Sequence, residues 1–131
     1  ACSSGDLMVP LSAVPEMIRR IKKLSADWNV EIGIISHIGD GNIHPIPLKP
    51  DGMSPERWAH YAEEFFNALI REAIALGGIG SGEHGIGHVK QNILLENKTP
   101  AELEVLRGDK KAFDPLGIMN PGKMFSPLEE E

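Results

Sequence analysis

Apolar residues in this chain follow two rhythms, a β-type run near residue 30 and helical spacing of three to four elsewhere, and these predict the elements. Residues 6–10, Asp-Leu-Met-Val-Pro, read as a short strand. Ser12 then caps a helix with Glu16 in its first turn and Arg19, Arg20, Lys22 and Lys23 further along, an order that suits the helix dipole. Ile18, Ile21, Leu24 and Trp28 share one face of it, and Asp27 and Asn29 break the pattern. Val30, Ile32, Ile34 and Ile35 lead into the stretch 36–45, Ser-His-Ile-Gly-Asp-Gly-Asn-Ile-His-Pro, and Ile43, Ile46 and Leu48 lead out. Asp40-Gly41 at its centre is the dipeptide of a two-residue hairpin turn. That turn pairs Gly39 with Asn42, Ile38 with Ile43 and His37 with His44. Directly opposed side chains share a face with Cβ atoms about 4.5–5.5 Å apart, close enough for two imidazoles to hold one metal ion. The plainer alternative is two surface histidines on a polar face.

The strongest helix signal follows the loop Pro50-Asp51-Gly52. Ser54 caps it, Pro55 occupies its first position, and Trp58, Ala62, Phe65, Leu69, Ala73 and Leu76 form one apolar stripe that ends at Gly77-Gly78. This stripe reads as core. Residues 77–87 hold six glycines in eleven positions, which is costly in conformational entropy and calls for a reason. Gly80-Ser81-Gly82-Glu83-His84-Gly85 fits the dinucleotide pattern G-x-G-x-x-G, but a helix and a double glycine leave little room for the expected preceding strand and Glu83 would oppose a pyrophosphate. The better account is a backbone that passes close to a site. Gly82 and Gly85 then let Glu83 and His84, which would diverge on a regular strand, turn into the same cavity.

The last third reads as support. Residues 89–95 suggest a helical segment behind the loop, with Lys90 near its start. Thr99-Pro100-Ala101-Glu102 is a capping box, after which Leu103, Leu106 and Phe113 give a moderately apolar face weakened by Gly108. Asp114-Pro115-Leu116-Gly117 and Asn120-Pro121-Gly122-Lys123 are turns. The order strand, helix, strand, strand, helix, short strand predicts an α+β fold, an antiparallel sheet with helices on one face, similar to a ferredoxin-like unit. Pro45 and Pro47 favour an edge position for residues 42–48, whereas a ferredoxin-like order puts that strand inside.

Composition narrows the field. With 131 residues the chain is expected to form a single domain, 1–131. A net charge of −6 with 13 Lys and Arg argues against nucleic acid, and no apolar run reads as a membrane span or signal peptide. A single cysteine, Cys2, fits a reducing compartment, so a cytoplasmic location is expected, with membrane association through partner subunits as the variant. The chain opens at Ala1 without methionine and closes on three glutamates, which suggests an incomplete or processed chain.

Three stretches carry a family resemblance: His37-Ile-Gly-Asp-Gly-Asn-Ile-His44, Gly80-Ser-Gly-Glu-His-Gly-Ile-Gly87, and Phe113-Asp-Pro-Leu-Gly-Ile-Met-Asn-Pro-Gly-Lys123. In this order they resemble the C-terminal part of FAD-linked 2-hydroxy-acid oxidases and dehydrogenases of the vanillyl-alcohol-oxidase-like superfamily. That group includes glycolate oxidase, D-lactate dehydrogenase and D-2-hydroxyglutarate dehydrogenase. The resemblance implies that His37, His44 and Glu83 are ligands of a divalent metal of the zinc, manganese or iron class, and that His84 is the catalytic base. It further implies a small D-2-hydroxy acid as substrate and FAD as cofactor, the FAD held mainly by an N-terminal flavin-binding domain that this chain lacks. Asn42 and Lys90 become candidates for substrate contact and Asn120 for flavin contact. Lys123 shares that candidacy with the plain role of a turn residue, and Asp40 is read as a turn former. The isolated chain is expected to carry no flavin and to form a homo-oligomer through apolar surface left bare. A non-catalytic metal-binding or assembly module is the alternative function.

Overall fold

A computed structural model describes residues 4–125, so Cys2 and residues 129–131 lie outside it. The described residues form two compact units that divide after His84.

In the first unit a short strand β1 (Leu7–Met8) leads through a 3-10 turn at Leu11–Ala13 into helix α1 (Val14–Asp27). Ser12 sits inside that turn and caps nothing. Pro15 stands in the opening turn of the helix instead, where a missing N–H costs little. Strands β2 (Ile32–His37) and β3 (Asn42–Pro47) follow, then helix α2 (Pro55–Ala75), which Ser54 caps by accepting from the Arg57 N–H at 3.3 Å. The sheet is antiparallel in the order β1-β3-β2. The closing short strand reduces to one residue, Ile79, which bridges Met8. The α+β expectation therefore holds, with four helices and a three-stranded sheet among the described residues. None of those helices is long and apolar enough to cross a membrane.

Two details are set by the structure. First, the sequence left β3 between an edge and an interior place, and it is central, because its prolines cost less than an interior position implies. Pro45 and Pro47 turn their missing N–H groups away from β2, so neither costs a bond to that strand. On the other side Gly5 N–H donates to the Pro45 carbonyl at 2.8 Å, and among the described residues Leu7 and Met8 form the full pairs, with Ile43 and Asn42. Second, the hairpin register is shifted by two. His37 pairs with Asn42 and Ile35 with His44, because residues 38–40 form a 3-10 turn and Gly41 alone adopts a left-handed φ of 76°. A shift of two leaves every side chain on its own face, so the two histidines become diagonal neighbours rather than an opposed pair.

The two faces of the sheet have different fates. Leu7 and Ile43 are buried on the helix side, where Met17 and Ile21 of α1 and Phe65, Leu69 and Ala73 of α2 are also buried. Trp28 adds edge-on contacts to Tyr61 and Phe65, and Tyr61 donates its hydroxyl to the Trp28 carbonyl at 2.7 Å. Burial of each large side chain contributes roughly 1.5–3 kcal/mol, so α2 is the main anchor of the unit. The opposite face carries Ile35, His37, Asn42 and His44, and Ile35 there is 61% exposed.

The second unit holds α3 (Gln91–Asn97) and α4 (Pro100–Phe113). The α3 segment lies two residues later than predicted. Both arms of the Thr99–Glu102 capping box form. Leu94, Leu103 and Phe125 make its small core, with Ile86, Leu95, Leu106 and Met124 packed around it. Phe113 is 83% exposed and so does not complete the apolar face assigned to α4.

Candidate functional site

The open sheet face and the glycine-rich turn build one constellation inside the first unit. The β pleat sets His37 and His44 on that face, and Asp6, two residues before Met8, shares it. After the Ile79 bridge to Met8 the chain runs on past β1 and is pinned to Asp6. This carboxylate, 1% exposed, accepts from the Ser81 hydroxyl at 2.9 Å, from the Glu83 N–H at 3.1 Å and from the His84 N–H at 2.9 Å. Gly82 passes so close that a Cβ there would lie 3.0 Å from Asp6 Oδ1 and 3.1 Å from the Asn42 amide. Glu83 and His84 consequently face the hairpin histidines together.

One oxygen is the focus. Glu83 Oε1 lies 3.1 Å from His44 Nε2, 3.7 Å from His37 Nε2 and 3.8 Å from His84 Nε2. The rings of His44 and His84 stack at 5.1 Å, and His37 meets His44 edge-on at 5.5 Å. His44 is the buried member of the group. Its Nδ1 is 3.0 Å from the Gly5 carbonyl, an acceptor that orients the ring and turns Nε2 toward Glu83. The available donor atoms of His37, His44 and Glu83 all lie within 4.8 Å of one another, as do those of Asp6, His44 and His84. Two imidazoles and a carboxylate suit a borderline divalent cation, and three protein ligands leave positions open to a small molecule.

Asn42 is 4% exposed, and its Oδ1 has no hydrogen-bond partner among the described residues. Asp40 lies in the turn, as expected. Lys90 and Asn120 belong to the second unit. Lys90 immediately precedes α3, and Asn120, with a φ of 50°, opens a turn in which the Lys123 N–H returns to its carbonyl at 3.1 Å. The residue that sequence reasoning passed over is Asp6. Its one local signal is an acidic group at the start of an apolar strand.

The dinucleotide reading of residues 80–85 finds no support in this geometry. No strand leads into the turn beyond the single bridge at Ile79, α3 begins only at Gln91, and the amides of Glu83 and His84 are already engaged by Asp6. An open groove of about 550 Å³ at the far end of β2 and β3, lined by Val30, Glu31, Leu48 and Lys49 among others, brings no histidine.

The chain is similar to known proteins along nearly all of its length. The family model described as FAD linked oxidases, C-terminal domain, matches residues 1–124. A D-lactate dehydrogenase from Archaeoglobus fulgidus is 40% identical over 123 residues, which is 94% of this chain and 26% of that protein. The glycolate oxidase subunit GlcD of Bacillus subtilis is 35% identical over 92% of this chain and 25% of its own length. A D-2-hydroxyglutarate dehydrogenase of Stutzerimonas stutzeri is 34% identical over 93% of this chain and 27% of its own. The chain thus spans about a quarter of the length of these curated relatives. A match that runs from the first residue through the second unit leaves one assignment: the protein belongs to the family of FAD linked oxidase C-terminal domains.

Proposed function

We propose that this chain is the substrate side of a flavin-dependent enzyme that oxidises a small D-2-hydroxy acid of the glycolate or D-lactate class. The carrying observation is the convergence of His37, His44 and His84 on a single carboxylate oxygen of Glu83, on an open sheet face. The relatives are named for such oxidations, which supports the substrate class.

In this reading His37, His44 and Glu83 hold a divalent cation, and the orientation of the His44 ring presents Nε2 for that purpose. The cation, when bound, supplies positive charge that draws the substrate carboxylate and lowers the pKa of the neighbouring hydroxyl. FAD, when bound, supplies the two-electron acceptor, so the 2-hydroxy acid leaves as the 2-oxo acid. The rest is work for side chains of the chain. His84 takes the hydroxyl proton onto a free ring nitrogen, a role open to it because Glu83 and the hairpin histidines complete the ligand set without it. Asn42, packed against the turn at Gly82, is the further substrate-side residue of this reading.

The test is anaerobic mixing of D-lactate or glycolate with the full-length flavoenzyme that this segment completes. Loss of a general base typically costs 10²–10⁴-fold, so His84→Asn should slow flavin reduction by about that much. Glu83→Gln should slow it as severely. If both variants reduce flavin at the wild-type rate, the reading is wrong.

A further inference from the structure

We propose that Asp6 is the positioning residue of this site: it holds the Ser81–His84 turn in the one conformation that brings Glu83 and His84 to the hairpin histidines. The inference rests on the metal reading above and extends it to a residue outside the ligand set.

A carboxylate buried to 1% exposure is tolerated only when hydrogen bonds replace its lost hydration. Here three donors come from a single turn: the Ser81 hydroxyl and the Glu83 and His84 amides, more than seventy residues away in sequence. Bonds to an ionised acceptor are among the stronger ones, and these fix the backbone of the two residues whose side chains make the chemistry. The turn needs that hold. Gly82 and Gly85 flank Glu83 and His84, and glycine offers little conformational preference of its own. Close packing completes the clamp, since any Cβ at Gly82 would lie 3.0 Å from Asp6 Oδ1 and 3.1 Å from the Asn42 amide.

A competing role is direct ligation, because Asp6 could join His44 and His84 around an ion. The hydrogen bonds argue against it. Both Asp6 oxygens already accept from the turn, Oδ2 from three donors and Oδ1 from the Glu83 amide, so they point at N–H and O–H groups. Asp6 therefore acts through Glu83 and His84.

The experiment uses the chain as it stands, with Asp6→Asn, Ser81→Ala and a remote core control, Phe65→Leu. Two readouts are taken: amide exchange at Glu83 and His84 by NMR without metal, and the affinity and visible spectrum of bound Co(II). A neutral carboxamide in place of the carboxylate has one acceptor oxygen and brings two N–H groups toward the same donors. Asp6→Asn should therefore speed exchange at both amides and weaken Co(II) about 10–100-fold, as outer-sphere substitutions typically do. Ser81→Ala should do the same more mildly, and Phe65→Leu should lower Tm with Co(II) affinity unchanged. Unchanged exchange in Asp6→Asn, or faster exchange with undiminished Co(II) affinity, overturns the positioning role. Equal weakening of Co(II) in Phe65→Leu does so too, by reducing Asp6 to a stability residue. A Co(II) spectrum in Asp6→Asn that reports one protein ligand fewer makes Asp6 a ligand and also overturns it. Wild-type chain that takes up no Co(II) at all identifies failure of the metal reading itself, and removes the inference with it.

Discussion

Two glycines carry much of the local geometry, and each supports a prediction. Gly41 adopts a φ of 76°, and a Cβ there would stand 2.2 Å from the Val9 carbonyl oxygen, whose own N–H donates to Gly41 O at 3.0 Å. Backbone strain of this kind costs about 1–3 kcal/mol before the clash is counted. Gly41→Ala should therefore lower Tm clearly, by several degrees in a thermal melt, and an unchanged melt would contradict the turn. Gly82→Ala differs, because a Cβ there would meet the Asp6 and Asn42 side chains at 3.0–3.1 Å and press on the two groups that hold the turn. It should weaken metal binding more than it lowers Tm, measured by titration beside a melt. The side chains of the site were legible from residue type: His37, His44, Glu83 and His84 stand out in a chain with 5 histidines. Asp6 was not, because its meaning depends on a turn that tertiary folding brings back to it.

At the level of elements, helices were read well and strand pairing less well, for a physical reason. Caps and apolar stripes are local, so α2 with Ser54 and α4 with Thr99 and Glu102 followed directly from sequence. Register depends on how a turn folds. Asp40-Gly41 suits both a two-residue hairpin and the 3-10 turn with a left-handed Gly41 that forms, and the contact with Val9 accompanies the second. The place of β3 was left open by the sequence, since its prolines suit an edge and the order of elements an interior strand, and it is central. The α4 capping box makes a pH prediction. Acceptance from the Thr99 N–H, then from Lys98 and the Thr99 hydroxyl, pulls the Glu102 carboxyl down to about 2 from 4.5. A depressed carboxyl stabilises the fold above its unfolded pKa, and that contribution fades as pH falls from about 4.5 through about 2. The stability difference between wild type and Glu102→Gln should shrink across that window in acid-dependent melts. A difference constant with pH would show that the box contributes nothing through ionisation. In α2, Phe65 is fully buried against Trp28, so Phe65→Ala should cost about 3–5 kcal/mol in denaturant unfolding.

Across the whole molecule, the first unit divides its labour between two faces of one thin sheet. The helix side supplies stability through Met17, Ile21, Phe65 and Leu69, and the open side gathers the candidate site residues Asp6, His37, Asn42, His44, Glu83 and His84. The candidate ligand groups and the glycine-rich turn therefore meet on the side away from the helices. The turn that most resembles a phosphate-binding loop spends its amides on Asp6. Purified chain is accordingly expected to lack flavin absorbance in the visible region, and a stoichiometric flavin spectrum would contradict this. The central claim is that three residues bind an ion and a fourth, adjacent to one of them, does not. Elemental analysis of purified wild type and four single variants tests it most directly. The account predicts one divalent ion per wild-type chain, loss of it in His37→Ala, His44→Ala and Glu83→Gln, and retention in His84→Asn. An ion lost from His84→Asn as completely as from His37→Ala would make His84 a ligand and contradict the account.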